Sequence, residues 1–80
     1  NTLCPSYVRT PLVERQIADQ ARTRSIAEDA VIRDVMLKPM PKGTFIEYDE
    51  LAGTVAFLMS PAARNITGQS IAIDGGWTAQ

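Results

Sequence analysis

The stretch Asn1-Thr2-Leu3-Cys4-Pro5-Ser6-Tyr7-Val8-Arg9-Thr10-Pro11-Leu12, residues 1–12, decides the fold. Residues 1–4 are short and half apolar and read as the end of a strand, which Pro5-Ser6 then breaks. Thr10-Pro11 starts a helix by an identifiable mechanism: the hydroxyl can accept from a free N–H of the first turn, and Pro11 sits where a missing N–H costs nothing. A strand that runs out into a capped helix is half of a parallel α/β crossover, provided that a second strand follows.

One does. Leu12, Val13, Ile17 and Ala21 fall near one face, opposite Glu14, Arg15, Asp19 and Arg22, so the spacing predicts a helix over about 11–24. Ser25-Ile26-Ala27-Glu28 matches a capping box, serine at N-cap and glutamate at N3, opening a second helix over about 27–37. Its apolar stripe is Ala27, Val31 and Val35, flanked by Ile32 and Met36. Lys38-Pro39-Met40-Pro41-Lys42-Gly43 ends it. Phe45 and Ile46 lead into a third helix over about 48–60, with Asp49 and Glu50 in its first turn, where the dipole favours acids. Leu51, Val55, Leu58 and Met59 keep the spacing of a buried face. After Pro61 and a turn at Asn65-Ile66-Thr67-Gly68, Ser70-Ile71-Ala72-Ile73 alternates as a strand and Asp74-Gly75-Gly76 ends it. Two strands are too few for a sheet that stands alone.

Eighty residues make at most one small domain, marginal by itself without a staple. The single cysteine, Cys4, excludes an internal disulfide, and the absence of histidine leaves no zinc pattern and no metal site. Hydrophobic content of 45% and charged content of 21% describe a folded chain. With net charge −1 and basic residues scattered from Arg9 to Arg64, nucleic-acid binding has no basic face to use. No apolar run is long enough for a bilayer and no secretory signal opens the chain. A lone thiol fits a reducing, cytoplasmic setting. The chain opens on Asn1, and Thr2-Leu3-Cys4-Pro5 reads as the tail of a strand that began earlier, so a piece of a longer protein is expected.

Several tempting features reduce to ordinary structure. Asn65-Ile66-Thr67 is a sequon expected to be a plain turn. Gly75-Gly76 precedes no helix that could hold a phosphate. Cys4 has no histidine to activate it and is expected to be buried and inert. Three features remain. The exit Pro5–Leu12 would lie beyond a strand's C-terminal end, where open parallel sheets bind ligands. Its backbone groups can bond a carboxamide, and Thr10 offers a hydroxyl or serves only as a cap. Gln16 lies beside the apolar stripe, as a ligand or as a boundary residue. Trp77, near the end of the chain, must dock somewhere, in a site or in a subunit contact.

Asn1–Leu12 resembles the segment after the sixth strand of short-chain dehydrogenases/reductases, usually N-x-x-x-P-G-x-V-x-T. The ending Ile66-Thr67-Gly68-Gln69-Ser70-Ile71-Ala72-Ile73-Asp74-Gly75-Gly76-Trp77 is similar to that family's last strand and tail, and Glu50-Leu51-Ala52 with Val55–Ser60 to the helix before it. The resemblance covers essentially all 80 residues. It implies an α/β fold, the C-terminal part of a Rossmann-like doubly wound parallel sheet. In it, 1–10 form the strand exit and nicotinamide loop, 11–39 the lid helices, and 40–80 the core helix, last strand and C-terminal tail. Thr10–Ile17 and Asp74–Gln80 further resemble members that interconvert D-3-hydroxybutyrate and acetoacetate with NAD. That likeness implies that Pro5, Val8 (main chain), Thr10 and Leu12 bind the cofactor, and that Tyr7, Gln16 and Trp77 bind the small substrate. Trp77 would come from a neighbouring subunit of a homotetramer. The family's glycine-rich cofactor loop, catalytic serine and tyrosine–lysine pair all precede Asn1 in its order, so these residues alone are expected neither to bind NAD usefully nor to catalyse. Ser6 stands for the usual glycine and would be strained if the position needs φ > 0. The rival expectations are a reductase acting on 3-oxoacyl chains and a non-catalytic helical interaction module.

Overall fold

The computed structural model describes residues 1–79; Gln80, the last residue of the expected tail, lies outside the described residues. Strand β1 (Thr2–Pro5) and strand β2 (Ser70–Ile73) pair in parallel, Thr2 against Ser70 through Pro5 against Ile73. The helices between them complete the expected α/β order, and the class read from the sequence stands. Asn1 fixes the register. Its side-chain nitrogen donates to the Ile66 carbonyl (2.8 Å) and its oxygen accepts from the Gln69 N–H (2.9 Å), while the Thr2 N–H reaches the Gln69 carbonyl (2.8 Å).

Helix α1 (Pro11–Arg24) has the expected bounds, with Pro11 in its first turn and the Thr10 hydroxyl accepting from the Val13 N–H at 3.2 Å. The expected capping box at Ser25 does not form. Serine 25 instead ends α1 in the left-handed region (φ 56°), and the N–H groups of Ser25 and Ile26 satisfy α1's last carbonyls. Helix α2 (Glu28–Val31) therefore starts from Ala27, with no side-chain cap.

After one turn α2 continues as a π-helical segment, Ile32–Met36, in place of the expected α-helix. The cause lies in the apolar spacing. Val31 and Met36 are both fully buried, and residues five apart in an α-helix point about 140° away from each other. An i→i+5 turn, sealed here by the Leu37 N–H to the Ile32 carbonyl (2.9 Å), brings them to one side. Val13, Ile17, Val31, Met36 and Phe45 form the core, with Tyr7, Ala21 and Val35 packed around it. This core joins the helical pair to the returning segment and does not involve the sheet.

Helix α3 (Tyr48–Leu58) begins with the Glu47 N–H donating to Glu50 Oε2 (2.7 Å), a cap the reading of Asp49 and Glu50 as dipole charges overlooked. Its apolar face is expected to be buried and is so only in part: Leu51 and Leu58 are half-buried, while Val55 is 42% and Met59 81% exposed, and Phe57, outside that face, is 48% exposed. The pattern asks for a partner that the described residues do not supply. The expected burial of Cys4 is not met: the thiol is exposed, because among the described residues no layer covers that side of β1. A radius of gyration of 15.2 Å, against about 12 Å for a compact chain of this length, expresses the same openness.

The end of β2 is clamped by the loop after the π-helical segment. The Lys42 N–H donates to the Gly75 carbonyl (2.9 Å), and a Cβ on Gly75 (φ 61°) would stand 2.9 Å from Met40 Cε and 3.3 Å from Lys42 Cβ. Gly75→Ala should therefore lower stability by roughly 1–2 kcal/mol through backbone strain and overlap. Gly43 (φ 72°) has open space, so Gly43→Ala should cost only the strain. Equal shifts of the two urea midpoints would show that the clamp contributes nothing.

Candidate functional site

The exit from β1 is held as a short parallel bridge of Val8 with Ile46. The Ile46 N–H donates to the Tyr7 carbonyl (2.9 Å) and the Arg9 N–H donates to the Ile46 carbonyl (3.4 Å). Because alternate residues of an extended chain turn their amides to opposite sides, the Val8 N–H and C=O face away from residue 46. Neither has a partner among the described residues. One donor and one acceptor thus stand open at the end of a parallel strand, and such groups are seldom left unsatisfied in a finished site. The capping bond uses the Thr10 oxygen as acceptor and leaves its O–H proton to donate elsewhere. Both readings of Thr10 are compatible, because they use different parts of the hydroxyl.

Ser6 in place of the usual glycine causes no backbone strain, since its φ is not positive. Its N–H donates to the Ile73 carbonyl (3.1 Å) and its hydroxyl points to the Met40 sulfur (3.5 Å). Pro5, the last residue of β1, is exposed and lines a hollow of about 250 Å³ together with Cys4, Ser6, Asp74, Trp77 and Thr78. Leu12, in the first turn of α1, is 57% exposed.

Tyr7 and Trp77, far apart in sequence, are brought together with ring centres 6.1 Å apart in a tilted arrangement. Gln16 is not brought to them by any bond; it is exposed and makes no hydrogen bond among the described residues. One turn on, Gln20 carries a buried side-chain oxygen without a partner, which the sequence reading passed over.

Asp74 was also missed as a site residue. One carboxylate oxygen accepts from the Gly76 N–H (3.0 Å), the other from the Thr78 N–H (3.1 Å) and hydroxyl (2.7 Å). These bonds cap the short 3₁₀ turn Trp77–Ala79 and so aim the indole. The Thr78 hydroxyl, aided by the backbone N–H groups, holds the Asp74 carboxyl below its ordinary range, against the opposing effect of desolvation. A depressed folded-state pKa stabilises the turn above the unfolded value, about 3.9, and that stabilisation is lost as pH falls through the folded value. Emission from Trp77, the one tryptophan in the sequence, should hold steady from neutral pH to about 4 and change below it. Asp74→Asn should abolish that transition, and its persistence would assign it to another group.

A family profile described as enoyl-(acyl carrier protein) reductase matches residues 1–78. The chain is 52% identical over all 80 residues to a D-beta-hydroxybutyrate dehydrogenase of Rhizobium meliloti, of which it covers 31%. It superposes with a TM-score of 0.89 and 36% identity on a short chain dehydrogenase family protein from Francisella tularensis, covering 100% of this chain and 33% of that one. A putative 2-deoxy-D-gluconate 3-dehydrogenase from Agrobacterium tumefaciens with bound NADP superposes with a TM-score of 0.73 at 31% identity, covering 98% of this chain and 28% of that one. The chain thus spans about a third of the length of the relatives it matches.

Proposed function

The chain belongs to the short-chain dehydrogenase/reductase family, and on that premise we propose that it is part of an NAD-dependent oxidoreductase interconverting D-3-hydroxybutyrate and acetoacetate. In this reading the segment supplies the substrate lid (α1, α2 and the π-helical segment), part of the nicotinamide site and the last strand of the sheet. The observation that carries it is the open N–H and C=O of Val8 beside the free proton of Thr10. A carboxamide presents one acceptor and an N–H donor pair, which complements this set. The residues therefore fit the nicotinamide end of a dinucleotide, with Pro5 and Leu12 as apolar flanks. The cofactor supplies the hydride chemistry, and this chain's residues orient it and exclude water.

The Tyr7–Trp77 pair and the adjoining hollow give a four-carbon acid an apolar wall, and the volume lies below the range usual for larger ligands, roughly 300–1,000 Å³. Gln16, exposed on α1, would reach the substrate carboxylate only as the lid closes. The uncovered face of α3 calls for an apolar cover, which the rest of the whole protein supplies in this reading, and that protein assembles as a homotetramer. The lone, unpaired thiol of Cys4 suits a cytoplasmic protein.

The test is a comparison of substrates on the full-length protein. Saturable turnover of D-3-hydroxybutyrate with NAD is expected, with a kcat/KM at least about tenfold above that for a 3-oxoacyl thioester. A preference for the thioester would replace this assignment by the 3-oxoacyl reductase reading, and a preference for NADP would overturn the choice of cofactor.

A further inference from the structure

The residue between Val8 and Thr10 makes three attachments. The Arg9 N–H bonds the Ile46 carbonyl, its Nε is ion-paired with Glu14 in the first turn of α1, and its guanidinium carbon lies 5.1 Å from the centre of the Phe45 ring. Phe45 is itself part of the core beneath the helical pair, 8% exposed. Rotation about residue 9 would turn either the open Val8 amides or the Thr10 hydroxyl, because those groups flank it directly. The three attachments oppose such rotation, and they tie the loop to both the lid's first turn and the returning segment.

We propose that Arg9 is the positioning residue that sets the Val8 main-chain groups and the Thr10 hydroxyl for the nicotinamide end of the cofactor. The inference rests on the nicotinamide reading given above. Arginine is required on geometric grounds. A planar guanidinium can lay its face on Phe45 while its edge pairs with Glu14, whereas a lysine ammonium can do one or the other. The side-chain bond to Glu14 also holds the Arg9 guanidinium above its already high ordinary value, as a paired cation would be.

The experiment measures binding of NAD and of ADP-ribose, which lacks only the nicotinamide, to the full-length enzyme. Wild type should bind NAD more tightly than ADP-ribose. Arg9→Leu should weaken NAD roughly tenfold and leave ADP-ribose within about twofold, with Arg9→Lys in between; Phe45→Leu should shift NAD in the same direction. A merely structural role would weaken both ligands together, and that result, or no change in either, overturns the proposal. Equal affinity of wild type for the two ligands would bring down the nicotinamide reading itself. A clear wild-type difference that Arg9→Leu leaves intact would sink only the role of Arg9.

Discussion

Thr10→Asp is expected to leave the fold as stable as wild type and to weaken NAD by about ten- to a hundredfold. The two effects separate because the hydroxyl's two duties separate. As a cap it accepts from the Val13 N–H. Aspartate accepts at least as well at an N-cap and adds favourable charge at the positive end of α1. As a proposed cofactor ligand it must donate, and an ionised carboxylate has no proton to give. The carboxamide would meet an acceptor where it needs a donor, leaving a buried polar group unsatisfied. Thr10→Ser keeps both functions and should behave as wild type. Thr10→Val loses both and should cost about 1 kcal/mol of stability as well. Thermal melts paired with cofactor titrations on these three variants decide the matter. If Thr10→Asp binds NAD normally, Thr10 is a cap and nothing more.

The same residue shows what a sequence can reveal. The cap was legible because it is local: Thr10, Pro11 and the first turn lie within four positions. The bounds of α1 and β2 were legible for the same reason, as was the parallel pairing, since a strand-helix-strand order admits few alternatives. Ser25 was misread because two local rules competed for one residue. A serine three places before Glu28 satisfies a capping box, yet the unpaid carbonyls of the preceding helix claimed its backbone first. The π-helical segment was hidden because it follows from burying Val31 and Met36 together, a tertiary demand. Arg9 was illegible as a site residue for a like reason: Phe45 lies 36 positions away, and only the Val8–Ile46 bridge brings the ring beneath the guanidinium. Asp74 could have been found, since Asp-Gly-Gly-Trp-Thr places a carboxylate at the start of a turn with N–H and hydroxyl donors two and four residues on. The α3 face was read correctly as apolar but its cover cannot be inferred from a pattern on one helix.

Ile17→Ala is expected to loosen the helical pair while sparing the strands. Ile17 is fully buried at the centre of the cluster that joins α1, α2, the π-helical segment and Phe45. Removing its branches should cost about 2–5 kcal/mol, and Ile17→Val about 0.5–1.5 kcal/mol. That loss is a large part of whatever stabilises the pair, because its core is small and does not extend under the sheet. Local opening then becomes accessible well below global unfolding. Hydrogen exchange should accelerate at amides of residues 11–36 in Ile17→Ala, with those of 70–73 unchanged. In the full-length enzyme the substrate should feel this more than the cofactor does. If only the ordered pair can close over the hydroxy acid, KM rises by the factor by which the ordered fraction falls, and roughly a tenfold rise corresponds to a tenth remaining ordered. NAD affinity should change less, because the Val8 groups are also held from the side of Ile46. Equal acceleration of exchange at 11–36 and 70–73 would mean that the helices and strands open as one unit. The helical pair would then not be a lid that moves on its own.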